Sequence, residues 1–486
     1  MKIEDDICYR ALQTRDSRFD GLFFVGVKTT GIYCRPICTA RTPELRNCRF
    51  FQNAASAEQS GLRPCLRCRP ELAPGHALVD RIRNVAHIAA SRIEAGALSG
   101  GGSIEDLATS LGLTSRHLRR AIRKELGVSA VELAQTNRLL LAKRLIAETQ
   151  LPMTRIAFAA GFKSVRRFNA LFSNRYRLTP SHLRRASSKS TTSSTIKLSL
   201  SYRPPFHWEK LLRFLAARAI PGVEHVADNA YFRTIAVGKH RGWLRVTPIA
   251  DRHQLSVELD SESASVLPTI LAKVRHLFDL DAQPDIVDAH LALDSRLAPS
   301  VRRYPGLRIP GAFDSFELAL RTILGQQISV QGATTLSGRI AIRFGEAIET
   351  PHSFLTRLTP SAESIASAHS TDLTSLGLTT SRAETLIRVA KVIASGEIEL
   401  EPGIDPIGVT TKLVDIPGIG PWTAEYIAMR ALRWPDAFPA SDLGLLKAAQ
   451  LKSAKAMEQI AERWRPWRAY AAMYLWNILE TSNKKK

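Results

Sequence analysis

The chain has 486 residues, enough for about three domains, so a single small module is excluded. Hydrophobic residues at 45% and charged residues at 23% fit a globular composition, and no apolar run of about 18 residues is available to span a bilayer. The 67 Lys and Arg against 45 Asp and Glu leave a net charge of +22, which makes a polyanion the first partner to consider and a membrane an unneeded one.

The charge and the cysteines are both unevenly spread. Residues 79–195 carry 20 basic against 7 acidic side chains, whereas 1–78 carry +4 and 196–486 carry +5. All six cysteines (Cys8, Cys34, Cys38, Cys48, Cys65, Cys68) fall within the first 68 residues. The amino end, MKIEDDICYRAL, has acidic residues where a signal peptide has basic ones, so a reducing bacterial cytoplasm is expected. There, clustered cysteines bind metal more often than they pair.

Cys34-x3-Cys38 and Cys65-x2-Cys68 supply four soft ligands in two short-spaced pairs, the requirement of one tetrahedral Zn2+. Cys8 and Cys48 lie outside both pairs and read as core residues. Zinc keeps its sulfurs deprotonated, so an exposed ligand is a nucleophile without a base. A purely structural zinc site has the same spacing, and the pattern alone does not separate the two. The string from Arg18 to Pro70, RFDGLFFVGVKTTGIYCRPIC followed by GLRPCLRCRP, resembles the methylphosphotriester repair domain of the Ada adaptive-response family. That resemblance implies that Cys34 is both zinc ligand and acceptor of one methyl group from DNA.

Ser103 to Asp106 has the form of a capping box opening a short helix with Ile104, Leu107, Ala108 and Leu111 inward, and Gly112 turns the chain into a second helix from Ser115. Leu118 and Ile122 mark its buried face. The pattern recurs about 49 residues on, from Thr154 through Gly161 to a helix with Phe168, Leu171 and Phe172 inward. Two such helix-turn-helix units joined by a long helix, about Val131 to Glu148, suit successive major-groove segments. The segment 79–185 resembles AraC/XylS-type DNA-binding domains, down to the closing Leu178 to Arg184. On that resemblance Arg116, Arg119 and Arg120 of the first unit, and Lys163, Arg166, Arg167 and Asn169 of the second, are candidates for contact with DNA.

Ala186 to Lys197 has no apolar residue before Ile196 and reads as a flexible linker. Beyond it, alternating runs such as Arg233 to Val237 and Leu255 to Leu259 lie among helical stretches (Trp208 to Ala219, Val266 to Phe278), and from Phe313 onward the periodicity is helical throughout. Pro417-Gly418-Ile419-Gly420-Pro421 between two apolar helices forms a tight hairpin whose N–H groups can face a phosphate, although a plain glycine helix cap has the same look. Some twenty residues on, Asp442 is a lone carboxylate in a loop, open to reading as an N-cap or as a functional group.

Together with Tyr202 to Trp208, Phe214 to Ala219, Leu324 to Val330 and Trp464 to Arg468, these strings resemble the helix-hairpin-helix DNA glycosylase superfamily, in its AlkA (3-methyladenine glycosylase II) branch. The resemblance implies that Asp442 is catalytic and that Gly418, Ile419 and Gly420 grip DNA. It further implies that Gln326 contacts DNA, that Gln327 and Ile328 form the turn that wedges into the duplex, and that Trp422, Tyr426 and Trp476 line the base pocket. Superfamily members that also cut the strand have a lysine where this chain has Trp422, so a monofunctional enzyme is expected.

The expected fold class is multidomain α+β. It comprises a zinc-binding α/β domain (1–78), an all-α tandem helix-turn-helix domain (79–185), a linker (186–197), an α/β, TBP-like layer (198–284) and an all-α glycosylase domain (285–480). The expected function is an alkylation-damage response: a transcriptional regulator switched by methyl transfer to Cys34, fused to a glycosylase for alkylated purines. Double-stranded DNA and RNA polymerase are its expected partners, and a nucleoid-associated monomer its expected state. Two competitors remain: a regulator with an inactive rear half, and a glycosylase whose zinc-bearing front only adds DNA affinity.

Overall fold

A computed structural model describes residues 3–74, 85–99, 101–186, 195–249 and 252–483. The expected boundary at 78/79 and most of the expected linker, 187–194, lie outside the described residues. The chain forms two compact units, one of residues 1–204 with 249–272, the other of 205–248 with 273–486.

The first unit opens with a helix, Asp5–Thr14, packed on a four-stranded sheet in the order Cys48–Phe51, Phe24–Val27, Ile32–Cys34, Arg63–Pro64. The first three strands are antiparallel and the last is parallel to Ile32–Cys34. Cys8 and Cys48 are buried with Leu12, Phe23 and Val25, which gives both thiols a packing role.

Seven helices follow in this unit among the described residues, from Val85–Glu94 to Pro180–Ala186. The capping box at Ser103 and Asp106 is formed, and a second one, Ser129 with Glu132, opens the long Ala130–Glu148 helix. Ser115–Leu126 buries Leu118, Ile122 and Leu126, and Val165–Tyr176 buries Phe168, Phe172 and Tyr176 in a run of edge-to-face rings. Thr114 and Ser164 cap these two helices.

The rear boundary differs from the sequence expectation. Thr195 to Lys197, expected in the linker, begin the strand Thr195–Ser201, which pairs antiparallel with Gln254–Asp260 over the full register from Thr195–Asp260 to Ser201–Gln254. Both strands belong to the first unit. The Ser199 N–H donates to Glu148 at 3.1 Å, and Arg155 pairs with Glu262 at 2.7 Å. Alternation of Ile196, Leu198 and Leu200 with polar residues fits a half-buried strand, and a Ser/Thr-rich lead-in conceals it.

In the second unit, Glu224–Ala227, Ala230–Val237 and His240–Ile249 form an antiparallel meander. Asp228 and Asn229, both at positive φ, make the two-residue turn between the first two strands. Arg233, fully buried in the meander, pairs with Glu317 at 2.7 Å, and Arg321 reaches both Glu224 (2.8 Å) and Glu317 (3.1 Å). This network fixes the Ser315–Leu324 helix against the strands. The remainder is helical. Pro406–Val414 and Pro421–Arg430 flank the glycine turn, and Leu443–Ala448 and Arg468–Asn483 follow.

Candidate active cleft and metal centre

The metal centre is built locally. Strand Ile32–Cys34 delivers Cys34 at its end, and its parallel pairing with Arg63–Pro64 brings Cys65 and Cys68 alongside. The Sγ atoms of Cys34, Cys38, Cys65 and Cys68 all lie within 4.8 Å of one another. Tetrahedral Zn2+ with bonds of about 2.3 Å sets sulfurs about 3.8 Å apart, so the cluster fits the ion. Two backbone N–H groups already address sulfur: Arg35 N–H to Cys68 Sγ (3.3 Å) and Arg67 N–H to Cys65 Sγ (3.4 Å). The centre holds one zinc.

Buried polar contacts brace the centre. The Arg35 guanidinium pairs with Asp20 and donates to the Cys68 carbonyl at 3.2 Å, and Lys143 of the long helix donates to the Cys65 carbonyl at 3.3 Å. Lys143 also pairs with buried Glu71 at 2.5 Å. Burial opposes charge on Glu71, but Lys143 and Arg69 outweigh it and hold the carboxyl below its usual range. Glu58 is fully buried and accepts from Tyr33 (3.0 Å) and Thr136 (3.3 Å), with Arg175 at 3.6 Å. Burial pushes its carboxyl up to about 7 despite Arg175 and the hydrogen bonds. None of these bracing residues carries a spacing signal in the sequence.

On the helix-turn-helix units, Arg116, Arg119, Arg120, Arg166, Arg167 and Asn169 are all exposed on their helices, and exposed Lys163 lies just before the second one. Arg119 is held by Glu105 at 2.8 Å, an exposed pair that phosphate can replace at little cost.

In the second unit, Asp442, Trp422, Tyr426 and Trp476 come together in a cleft of about 1420 Å³. Asp442 is the N-cap its loop position allowed, and its carboxylate also faces the cleft. Its Oδ1 caps the Leu443–Ala448 helix through the Leu445 N–H (2.9 Å) and accepts from Trp476 Nε1 (2.9 Å), while its Oδ2 accepts from Trp422 Nε1 (2.9 Å). Both carboxylate oxygens are thereby fixed. Trp422 and Tyr426 stack with centroids 5.4 Å apart, and Trp476 meets Tyr426 edge-on at 6.1 Å. The Tyr426 hydroxyl accepts from Arg430 at 3.0 Å. Burial opposes its ionisation, but Arg430, Arg218 and Arg321 prevail and hold the phenol below its usual value. Gly444 follows closely, where a Cβ would stand 3.0 Å from Asp442 Oδ1 and 3.3 Å from the Trp476 ring.

At the hairpin, Gly418 has φ +96°, and a Cβ there would fall 2.0 Å from Thr385 Oγ1. Ile419 buries its side chain and gives its N–H to Ile416 at 3.0 Å, so it offers nothing outward. Among the described residues no protein acceptor is found for the N–H of Gly418 or Gly420, at the start of Pro421–Arg430. The half-buried Gln326 spends its amide on Gly418 O (3.1 Å) and Thr423 Oγ1 (3.0 Å), which makes it a brace for the hairpin. Gln327, at φ +57°, and Ile328 are exposed at the cleft. Phe214, Arg218, Met473 and Asn477 also line the cleft. Sequence reasoning assigned none of them a part, since only the fold brings them near Asp442.

A cysteine metal centre, paired helix-turn-helix units, and a carboxylate cleft beside a helix-hairpin-helix define a multidomain DNA-repair protein with a built-in DNA-binding module. Four domain families match: "Metal binding domain of Ada" over 7–71, "Helix-turn-helix domain" over 107–186, "AlkA N-terminal domain" over 197–314, and "HhH-GPD superfamily base excision DNA repair protein" over 320–467. The "Probable bifunctional transcriptional activator/DNA repair enzyme AlkA" of Mycobacterium tuberculosis is 40% identical over 97% of this chain and 96% of its own length. The chain belongs to this family of bifunctional transcriptional activator/DNA repair enzymes. The "DNA-3-methyladenine glycosylase 2" of Escherichia coli is 37% identical, covering 57% of this chain and 95% of that protein. The solved 3-methyladenine DNA glycosylase of Archaeoglobus fulgidus shares the fold, with a TM-score of 0.51 at 23% identity over 58% of this chain and 98% of that one.

Proposed function

We propose that the chain is an alkylation-damage response protein whose rear unit excises alkylated purines from DNA and whose front unit records methylation of the DNA backbone at Cys34. The observation that carries the first half is the carboxylate of Asp442, fixed by two indole N–H groups inside an aromatic cleft. A flipped purine enters such a cleft at a cost of a few kcal/mol, least for a damaged and poorly paired base. Trp422, Tyr426 and Trp476 present electron-rich faces to a cationic methylpurine. The bond from C1′ to the base nitrogen breaks with its electron pair leaving on the base, and Asp442 stabilises the positive charge that grows on the sugar. Water then bonds to C1′ and loses its proton towards Asp442, leaving an abasic site. With Trp422 at the hairpin and no lysine there, no amine attacks the sugar and the strand is not cut.

The unspent N–H groups of Gly418 and Gly420 suit a backbone phosphate, while exposed Gln327 and Ile328 suit the space that a flipped base vacates. In the front unit, zinc supplies a deprotonated sulfur at neutral pH. Cys34 Sγ attacks the methyl carbon of a phosphotriester, an S–CH3 bond forms, the C–O bond breaks, and a phosphodiester anion leaves. The site loses one negative charge and repels DNA less. The exposed cations Arg116, Arg119, Arg120, Lys163, Arg166, Arg167 and Asn169's amide then meet promoter DNA, with RNA polymerase as the downstream partner of a monomer acting at the nucleoid. Among the described residues no helix is long and apolar enough to cross a membrane.

The test is release of 3-methyladenine from methylated duplex by purified protein, together with transfer of labelled methyl from a phosphotriester to Cys34. Absence of base release refutes the rear-half reading, and label that survives in Cys34→Ser refutes the front-half one.

A further inference from the structure

Most cations on the walls of the cleft are matched. Arg321 is paired with Glu224 and Glu317, Lys210 and Arg213 share Glu480, and Arg430 gives its donors to the carbonyls of Pro310 and Gly311 and to Tyr426. The segment that leaves the cleft beside Asp442 is different. From Leu443 to Met457 it carries Lys447, Lys452 and Lys455 and no Asp or Glu. All three lysines are exposed, and among the described residues none of them is paired with a carboxylate. Gln450, at φ +56°, turns the chain between the helices Leu443–Ala448 and Ala454–Ala461, which carry the outer two.

Leu443 stands at the head of this segment and is 82% exposed. Its backbone is fixed on both sides. Asp442 before it is held by three hydrogen bonds, and Gly444 after it lies so close to Asp442 and to the Trp476 ring that a side chain there would crowd both. Taking a leucine out of water is favourable, and folding leaves that gain unused here. Ile328 and Val330, exposed as well, line the same cleft. One exposed aliphatic side chain is ordinary, but three around one cleft give it an apolar mouth.

We propose, building on the glycosylase reading, that Leu443 to Lys455 is a DNA-binding surface, separate in sequence from the glycine hairpin, which takes the damaged strand as it leaves the cleft. Asp442 marks the place of the flipped sugar, so the residue next to it meets the adjoining nucleotide. Leu443 packs on the apolar face of the deoxyribose and base that unstacking lays bare, and Lys447, Lys452 and Lys455 hold phosphates of the same strand. Two properties favour DNA over a protein as the occupant. The charge is of one sign, which suits a strand with a negative charge at every phosphate, and the surface is continuous with the cleft that receives the base. The hairpin offers backbone N–H groups to a phosphate, whereas this surface offers mobile cations, so its grip shows in the salt dependence of binding.

The test measures the affinity of the full-length protein for a duplex with one tetrahydrofuran residue, a stable mimic of the abasic product, against the same duplex undamaged. Wild type is compared with Leu443→Ser and with the triple variant Lys447→Gln, Lys452→Gln, Lys455→Gln over a range of salt. The front unit binds both duplexes, so the ratio of the two affinities reads the rear unit. Leu443→Ser should lower the ratio about tenfold and leave its salt dependence alone. The triple variant should lower it about tenfold at about 0.1 M salt, and should reduce the slope of log affinity against log salt on the tetrahydrofuran duplex by about 2 to 3. All four side chains are exposed, so both variants should keep the wild-type melting temperature, and each tests the surface without the other. An unchanged ratio in either variant overturns the proposal and leaves the glycosylase reading standing; a protein partner seated on this surface would give that result. Wild type that neither prefers the tetrahydrofuran duplex nor releases 3-methyladenine refutes the glycosylase reading itself.

Discussion

The metal centre and the carboxylate cleft make their reactive atoms available by opposite means. The four sulfurs come from one stretch, Cys34 to Cys68, on a four-stranded sheet with small cores. Such a module gains much of its folding energy from the ion it binds. Asp442 is held by the half-buried indoles of Trp422 and Trp476, on two separate helices whose inward residues, such as Ile427 and Tyr474, are buried. Where one ion holds the site together, loss of a ligand is loss of structure. Where a helical core holds it, the charge can be removed and the scaffold kept. The cleft is thus the place where chemistry and stability can be separated.

The sharpest break in that comparison is Asp442→Asn. Asparagine caps a helix about as well as aspartate, so the Leu443–Ala448 helix keeps its Leu445 N–H bond and the fold persists. Loss of the negative charge should lower single-turnover 3-methyladenine release by about a thousandfold, roughly 4 kcal/mol, while the rear unit still melts cooperatively, lowered only by the one indole N–H that loses its acceptor. Release within tenfold of wild type would remove Asp442 from the chemistry. Cys38→Ser should behave in the contrary way. Bound zinc, read by metal analysis, should fall from one per chain towards none, and the front unit should lose its cooperative melting transition. Full zinc retention would mean that the four sulfurs are not the ligand set. A smaller effect is expected from Trp422→Phe and Trp476→Phe, which keep the aromatic faces and delete one N–H donor each. Either should slow excision by about tenfold, and the pair by less than the product of the two, since both act on one carboxylate. Additive losses would show that the indoles act on the base independently.

The same contrast explains what could be read from the sequence. Cys34, Cys38, Cys65 and Cys68 were legible because metal ligation depends on short spacing, and the two recognition helices because Leu118, Ile122, Phe168 and Phe172 repeat at helical intervals. The hairpin was legible through Gly418, whose close approach to Thr385 permits no side chain, although Thr385 itself has no local mark. Asp442, Trp422, Tyr426 and Trp476 were named through resemblance, since nothing in their separation tells that two indoles will address one carboxylate. Arg218 stood inside a matching string with no part assigned, and Gln326, expected at DNA, gives its side-chain amide to the hairpin, a bond that no spacing announces. The Thr195–Ser201 strand was hidden by a Ser/Thr-rich lead-in that resembles a linker until its partner, more than fifty residues away, is known. Long-range pairing, rather than local propensity, decided each of these.

A last expected effect, on stability rather than on rate, concerns Glu58, the buried acid whose partners reach from Tyr33, beside Cys34, to Thr136, Arg175 and Tyr176. Burial raises its carboxyl from 4.5 to about 7. Between those values the folded chain keeps a proton that the unfolded chain has released, so its contribution is complete below about pH 4.5 and is lost as pH rises through about 7. Zinc binding has the opposite sign, because protons compete with the metal for sulfur at low pH. The two are separated by the difference between wild type and Glu58→Gln, melted with zinc in excess from about pH 5 to about pH 8. Glutamine keeps a neutral hydrogen-bonding group in the same space and leaves the metal competition untouched. Wild type should therefore lose stability relative to the variant across this window, by at most about 3 kcal/mol, and the difference should flatten above about pH 8. Parallel curves would mean that Arg175 keeps Glu58 ionised throughout, making the node an ordinary buried ion pair.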